Sequence, residues 1–218
     1  VYLEDWSNGM RNSKDYVHEL LNFLSTKNIK RILLPDTLGV LTPHETKKFI
    51  SEIINKYPKQ VFDFHGHNDY DLGVANAMEA VKCGVNGLHM TINGMGERAG
   101  NVPLASIVSV INDFVPNVKT NINEKALFKV SQIVSTFTGI RIPANKPVVG
   151  ANVFTQTAGI HADGDSKKNL YHNNLMPERF GRKRKYALGK TSGKANIIKN
   201  LEELGLKLND SDLNKVTK

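Results

Sequence analysis

The chain has 218 residues, 40% hydrophobic and 23% charged, with a formal net charge of +8. This is the composition of a folded globular chain, and it excludes disordered and fibrous classes. No apolar run reaches the length of a membrane span, and the single cysteine, Cys83, excludes an internal disulfide framework. With no basic-then-apolar opening segment, the expected compartment is reducing and cytoplasmic.

Residues 1–6, VYLEDW, alternate apolar and polar and predict a strand, broken by Asn8-Gly9. Ser13 is a candidate N-cap for a helix with Tyr16, Val17, Leu20, Leu21 and Leu24 at helical spacing. RILLPDT predicts a buried strand ending at Asp36-Thr37. Thr42, Pro43 and Glu45 then open a second helix with a core stripe of Phe49, Ile50, Ile53 and Ile54. VFDFHGH predicts a third strand, LGVANAMEAVKC a helix stopped by Gly84, GLHMTIN a fourth strand and LASIVSVINDF a fourth helix. GMGERAGNVP is the glycine-rich loop between the last two. Strand–helix alternation of this kind predicts a parallel sheet with helices outside, and in such sheets the chemistry gathers at the strands' C-terminal ends. Periodicity alone leaves a barrel and an open doubly wound sheet equally open.

After Phe114 the pattern changes. Asn121 or Asn123 caps a helix over EKALFKVSQIVSTFTG, a Gly- and Thr-rich stretch carries His161 and Asp163, a basic stretch covers 178–190, and a last helix runs over KANIIKNLEELGL before a polar tail. The expected organisation is an α/β region over 1–115, a linker and helix over 116–150, and a helical subdomain over 151–218.

The pair His65 and His67 ends a buried strand, on one side of it. Two imidazoles there, with oxygen ligands, suit Zn, Mn, Co or Mg; hydrogen bonding to neighbours is the plainer alternative. Asp36, Asp63 and Asp69 are carboxylate candidates by type, and Glu97, Arg98 and Asn101 come from the glycine loop. His18, His44, His89 and His172 read as surface or packing residues, and Trp6 as a core or lid anchor. GMGERA at 94–99 matches a dinucleotide-binding pattern, but residues 115–124 lack the following strand and acid. GKTSGKA at 189–195 lacks the spacing and the hydroxyl of a phosphate loop. The basic run Arg182–Lys185, beside Phe180 and Tyr186, reads as a solvated loop, a polyphosphate site or a nucleic-acid contact.

DTLGVLTPHE, FHGHNDYDLGVANAMEAVKCGVNGLHMTINGMGERAGNVPL and QTAGIHADGD together resemble the 2-isopropylmalate synthase, homocitrate synthase and citramalate synthase family. The opening VYLEDWSNGMRNS and NLYHN…PERFGRKR look most like its bacterial (R)-citramalate synthases. The resemblance implies an α/β fold, namely the C-terminal half, four βα units, of a TIM (β/α)8 barrel, followed by a small, mostly helical subdomain. It implies metal-dependent condensation of acetyl-CoA with a 2-oxo acid in branched-chain amino-acid biosynthesis. Pyruvate is the first expectation, with 2-oxoisovalerate or a homocitrate-type acid as alternatives.

Carried over by motif, the resemblance makes His65, His67 and Asn101 metal ligands and Glu4 with His161 the proton-transfer pair. Thr37 and Tyr2 would contact the oxo acid. Asp163, Asn169, Leu170 and Tyr171 would line the acetyl-CoA side. A bulky Tyr2 would shorten the oxo-acid pocket. The implied partners are the two substrates and a second copy, in a homodimer with exchanged subdomains; no nucleic acid or membrane is expected. The family's first-strand D-x-T-L-R-D-G motif, with its metal carboxylate and substrate arginine, has no counterpart here. The chain is therefore expected to be the C-terminal portion of a longer enzyme and inactive alone. A non-catalytic binding module and an NAD-dependent oxidoreductase are the competing classes.

Overall fold

A computed structural model describes residues 1–158, 160, 163–164, 173–190 and 192–216. The chain divides into two compact units, one of residues 1–122 with 133–139, the other of 123–132 with 140–218.

The first unit opens with α1 (Trp6–Asn12) and α2 (Lys14–Ser25), followed by β1 (Ile32–Asp36), α3 (Pro43–Lys56), β2 (Phe62–Gly66), α4 (Gly73–Cys83), β3 (Gly87–His89) and α5 (Leu104–Phe114). The strands form one parallel sheet in the order β1-β2-β3. Side chains alternate across it. Ile32, Leu34, Phe62 and Phe64 join Phe49, Ile50 and Ile53 of α3, Ala77 and Ala80 of α4 and Ile107 and Ile111 of α5 in one buried core. The out-of-phase residues share the opposite face. Leu33 pairs with Asp63 and Asp63 with Gly87; Pro35 pairs with His65 and His65 with His89.

Two expectations change here. Residues 1–6 do not form a strand through Trp6. Only Tyr2 bridges, through Leu33 N–H donating to Val1 O at 2.8 Å and Leu3 N–H to Leu33 O at 3.1 Å. The backbone then turns at Asp5 (φ 53°), and Asn8-Gly9, read as a breaker, lies inside α1. Packing overrides propensity: Trp6 and Met10 are buried, and a Cβ on Gly9 would lie 2.9 Å from Val17 Cγ2, so glycine lets α1 close on α2. Trp6 is indeed a core anchor, edge-on to Phe49. β3 also stops four residues short of Asn93, because Thr91 leaves it to pair with Val102 and Leu104.

The helix signals hold. Thr42 and Glu45 form a reciprocal capping box with Pro43 in the first turn of α3, and Gly84 ends α4 at φ 100°. Arg11 forks onto Glu45 at 2.8 and 2.7 Å and donates to Val40 O at 2.7 Å, tying α1 to the start of α3. His18, read as a surface or packing residue, is buried on α2 and bonded to Glu52 at 2.8 Å.

In the second unit, α6 (Glu124–Thr138) contributes residues 124–132. Asn123 caps it by accepting from Lys125 N–H at 3.1 Å. β4 (Thr155–Gln156) and β5 (Lys185–Tyr186) form a short parallel pair that the sequence did not signal. α7 (Lys194–Glu203) follows, and the expected polar tail contains α8 (Asp210–Val216), where Leu213 is buried. Among the described residues, no helix is long and apolar enough to cross a membrane.

The α3 capping device yields a test. The Arg11 guanidinium holds the Glu45 carboxyl at about 2, against an ordinary 4.5, with the Thr42 hydrogen bonds adding to it and burial opposing it. Its stabilisation is fully present above pH 4.5 and is lost as pH falls towards 2. Thr42→Ala should cost about 1 kcal/mol in urea denaturation. Glu45→Gln should destabilise at neutral pH, and the gap from the parent should close towards pH 2.

Candidate functional site

His65 lies near the end of β2 and His67 one residue beyond it, their rings perpendicular with centroids 5.0 Å apart. Among the described residues, the Nδ1 atoms of both are buried without a hydrogen-bond partner, and so is Asn101 Oδ1. Each such atom costs about 1–3 kcal/mol if left unsatisfied, so three in neighbouring residues suit a ligand that takes lone pairs. Burial, then the neighbouring His67, pushes the His65 pKa down, opposed by a hydrogen bond with the His89 backbone and by the Glu4 carboxylate. The ring is thus neutral at neutral pH, with a lone pair to offer a ligand.

Asn101 reaches the site through the glycine loop. Its backbone bridges His67, with Asn68 N–H donating to Gly100 O at 2.9 Å and Val102 N–H to Gly66 O at 3.2 Å. Its Nδ2 donates to Met95 O at 2.9 Å, which assigns the amide and leaves Oδ1 as the buried acceptor. A Cβ on Gly96 would collide with this amide, and one on Gly100 (φ 84°) with the Gly94 carbonyl. The glycines are what allow Asn101 its seat.

The three carboxylate candidates are engaged elsewhere. Asp36, fully buried, accepts from Val40 and Leu41 N–H at 3.0 and 3.1 Å and shapes the β1–α3 loop. Asp63 accepts from Arg31 at 2.7 Å, and its second oxygen lies 3.5 Å from His89 Nε2. Asp69 is forked by Arg98 at 2.7 and 3.0 Å, which holds its carboxyl below the ordinary range. Among the described residues no group of three His, Cys, Asp or Glu side chains is arranged to hold a metal. The donor set that fits a divalent ion is therefore two imidazoles and an amide oxygen.

Of the other expected site residues, Tyr2 stands beside the pair, its ring edge-on to His65 at 6.5 Å and its hydroxyl 2.8 Å from His89 Nδ1. Glu4 is exposed and close enough to act on His65 electrostatically. Thr37 Oγ1 accepts from Asp5 N–H at 2.9 Å, and Thr37 O accepts from Arg98 at 2.8 Å. Tyr2, Glu4, Thr37, His65, His67 and Asn101 all belong to the first unit. Asp163 is exposed in the second unit; His161, Asn169, Leu170 and Tyr171 lie outside the described residues.

Sequence reasoning missed two things. His89, read as a surface or packing residue, faces His65 with ring centroids 6.4 Å apart. Aligning the strand ends would have found it, since His65 and His89 are register partners. Arg98 was noted but not its role: it ties the loops after β1, β2 and β3 together through Thr37 and Asp69.

The basic stretch is also less open than its charge suggests. Arg179 forks onto Glu124 at 2.7 and 2.6 Å. Arg182 donates to the carbonyls of Val148, Gly150 and Ala151, with its guanidinium over the rings of Phe128 and Phe154.

Comparisons with known proteins identify the family. Residues 6–134 match the HMGL-like family model, and residues 148–218 match the homocitrate synthase post-HMGL domain-like model. The 2-isopropylmalate synthase of Sulfurisphaera tokodaii is 35% identical over 94% of this chain and 53% of its own length. That of Gloeothece citriformis is 37% identical over 94% and 41%. A Methanopyrus kandleri protein provisionally named (R)-citramalate synthase is 34% identical over 94% and 40%. The chain thus spans about half the length of these relatives. Among solved structures, an HMG-CoA lyase from Acinetobacter baumannii, in complex with coenzyme A and 3-methylmalate, matches at TM-score 0.53 and 25% identity, over 60% of this chain and 44% of that one. Bacillus subtilis HMG-CoA lyase matches at TM-score 0.53 and 21% identity, over 59% and 45%, which speaks to the fold alone. The strand–helix units are of the TIM-barrel type, as the sequence led us to expect.

The donor set predicts that His65→Ala or His67→Ala abolishes tight Mn²⁺ or Zn²⁺ binding in isothermal titration calorimetry. Gly96→Ala, which displaces Asn101, should weaken binding about 10–100-fold. Unchanged affinity in His65→Ala would put the ion elsewhere.

Proposed function

This chain belongs to the HMGL-like family, and from that premise we propose that it carries the metal and oxo-acid residues of a synthase that condenses acetyl-CoA with a 2-oxo acid. The observation that carries the reading is the cluster of buried, unbonded His65 Nδ1, His67 Nδ1 and Asn101 Oδ1 at one strand end, with Tyr2 beside it. A divalent ion bound there supplies Lewis acidity to a carbonyl oxygen. The unbonded Nδ1 atoms of His65 and His67 offer lone pairs, and Asn101 completes the face contributed by this chain.

The remaining roles fall to residues around that cluster. Thr37, at the end of β1, offers its hydroxyl to the oxo acid's carboxylate. Tyr2 closes the pocket with its ring. Glu4, near His65, works with His161 in moving the thioester methyl proton. Attack of the resulting enolate carbon on the ketone forms the new C–C bond, and hydrolysis of the thioester releases CoA. Arg98 holds the three loops that carry these groups, so its task is positioning.

Pyruvate is the favoured oxo acid, because the Tyr2 ring leaves room for a short side chain. 2-Oxoisovalerate is the alternative, favoured by the names of most of the relatives above. Asp163, Asn169, Leu170 and Tyr171 are assigned to the acetyl-CoA side. A homodimer with exchanged subdomains and a cytoplasmic location complete the proposal.

The test supplies acetyl-CoA with pyruvate, or with 2-oxoisovalerate, to the full-length protein and follows free thiol. The expected outcome is release that a chelator abolishes and that prefers pyruvate. Preference for 2-oxoisovalerate would keep the reaction and overturn the choice of acid. No release with either acid would overturn the synthase reading.

A further inference from the structure

The pair of histidines uses two of the polar groups on the sheet face opposite the helices, and three more form a chain beside it. Tyr2 Oη lies 2.8 Å from His89 Nδ1, and His89 Nε2 lies 3.5 Å from Asp63 Oδ2. Asp63 is 3% exposed, and its other oxygen accepts from Arg31 at 2.7 Å. A carboxylate next to Nε2 favours the imidazole tautomer that carries its proton there. Nδ1 is then the acceptor, and the Tyr2 hydroxyl is the donor.

Tyr2 needs such a tether. Its segment touches the sheet through a single bridge at Leu33, and its side chain is half exposed. The ring meets His65 and His89 only edge-on, at 6.5 and 5.9 Å between centroids, among the described residues. The strand register supplies the tether: β2 sets Asp63 two residues below His65, and β3 sets His89 opposite His65. The hydroxyl proton also points to His89, so the ring presents an apolar edge and a hydroxyl lone pair to its surroundings.

We propose that Asp63 and His89 are positioning residues that fix the Tyr2 ring through an Asp63–His89–Tyr2 chain, and that this chain sets the size of 2-oxo acid admitted. The size selection rests on the synthase reading above; the tether itself does not.

The test uses the full-length protein with two readouts. The first is nitrogen-15 correlation NMR of its histidines, with His89 assigned by substitution. An Nε2–H ring that shifts its tautomer balance in Asp63→Asn is expected; an Nδ1–H ring in the parent protein would overturn the proposal. The second is the ratio of kcat/KM for pyruvate to that for 2-oxoisovalerate. His89→Leu and Tyr2→Phe should lower this ratio about 10-fold, chiefly through KM, since pocket discrimination of a methylene is of that order. His89→Asn, whose Oδ1 takes the place of Nδ1, should restore it. An unchanged ratio in His89→Leu, or equal loss in His89→Asn and His89→Leu, would overturn the selection. If the parent protein turns over neither acid, the synthase reading fails on its own, and the tautomer spectrum still decides the tether.

Discussion

Everything at the site depends on the common register of β1, β2 and β3. Parallel pairing sets Pro35 beside His65 and His65 beside His89, and one step deeper Leu33 beside Asp63 and Asp63 beside Gly87. Because side chains alternate, the same ladder sends Ile32, Leu34, Phe62 and Phe64 into the core under the helices. A slip of one residue would bury the histidines and expose the phenylalanines. Hydrophobic burial on one face thus fixes where the polar groups stand on the other. The energy that positions His65 comes from Phe62 and Phe64.

The loops above the sheet meet a different demand. They must bring an amide from beyond β3 back to the end of β2, and this takes a backbone that ordinary residues resist. Gly96 and Gly100 leave space where a Cβ would strike Asn101 or Gly94. Asn93 and Arg98 take positive φ values of 60° and 54°. Such conformations cost of order 1–3 kcal/mol each and persist only where the surroundings impose them. Arg98 is itself pinned by two hydrogen bonds to Asp69 and one to Thr37 O. Strain and clamp sit on the same residue.

In the second unit, charge serves construction. Arg182 is desolvated enough to lower its pKa, yet it stays where three carbonyls and two aromatic faces receive it. One of those carbonyls belongs to Val148, which takes φ 67°, a costly choice for a β-branched residue. Phe180, stacked on Phe154 at 5.8 Å, closes the cluster. Arg182, from a run of basic residues that reads as a surface for phosphates, therefore holds part of this unit's core together. A count of charges overstates what is available for a partner.

The division between sequence and tertiary structure follows the range of the forces involved. The sequence by itself determined the βα alternation, the capping box of Thr42 and Glu45, the stop at Gly84, the HxH pair, and the motifs that placed the chain in its family. These depend on neighbours within a few residues or on patterns of fixed spacing. Tertiary structure alone decided that Trp6 enters a helix, because its burial with Met10 and the close approach of Gly9 to Val17 outweigh an alternating pattern. It decided that β3 ends at His89, since Thr91 finds its partners across the glycine loop. It also decided that Asp36, Asp63 and Asp69, alike in sequence, serve a loop, an arginine and a clamp. A carboxylate's role is set by which donors reach it, and those donors come from segments about 4 to 32 residues away along the chain. No local pattern records such meetings; the common register of the strands does.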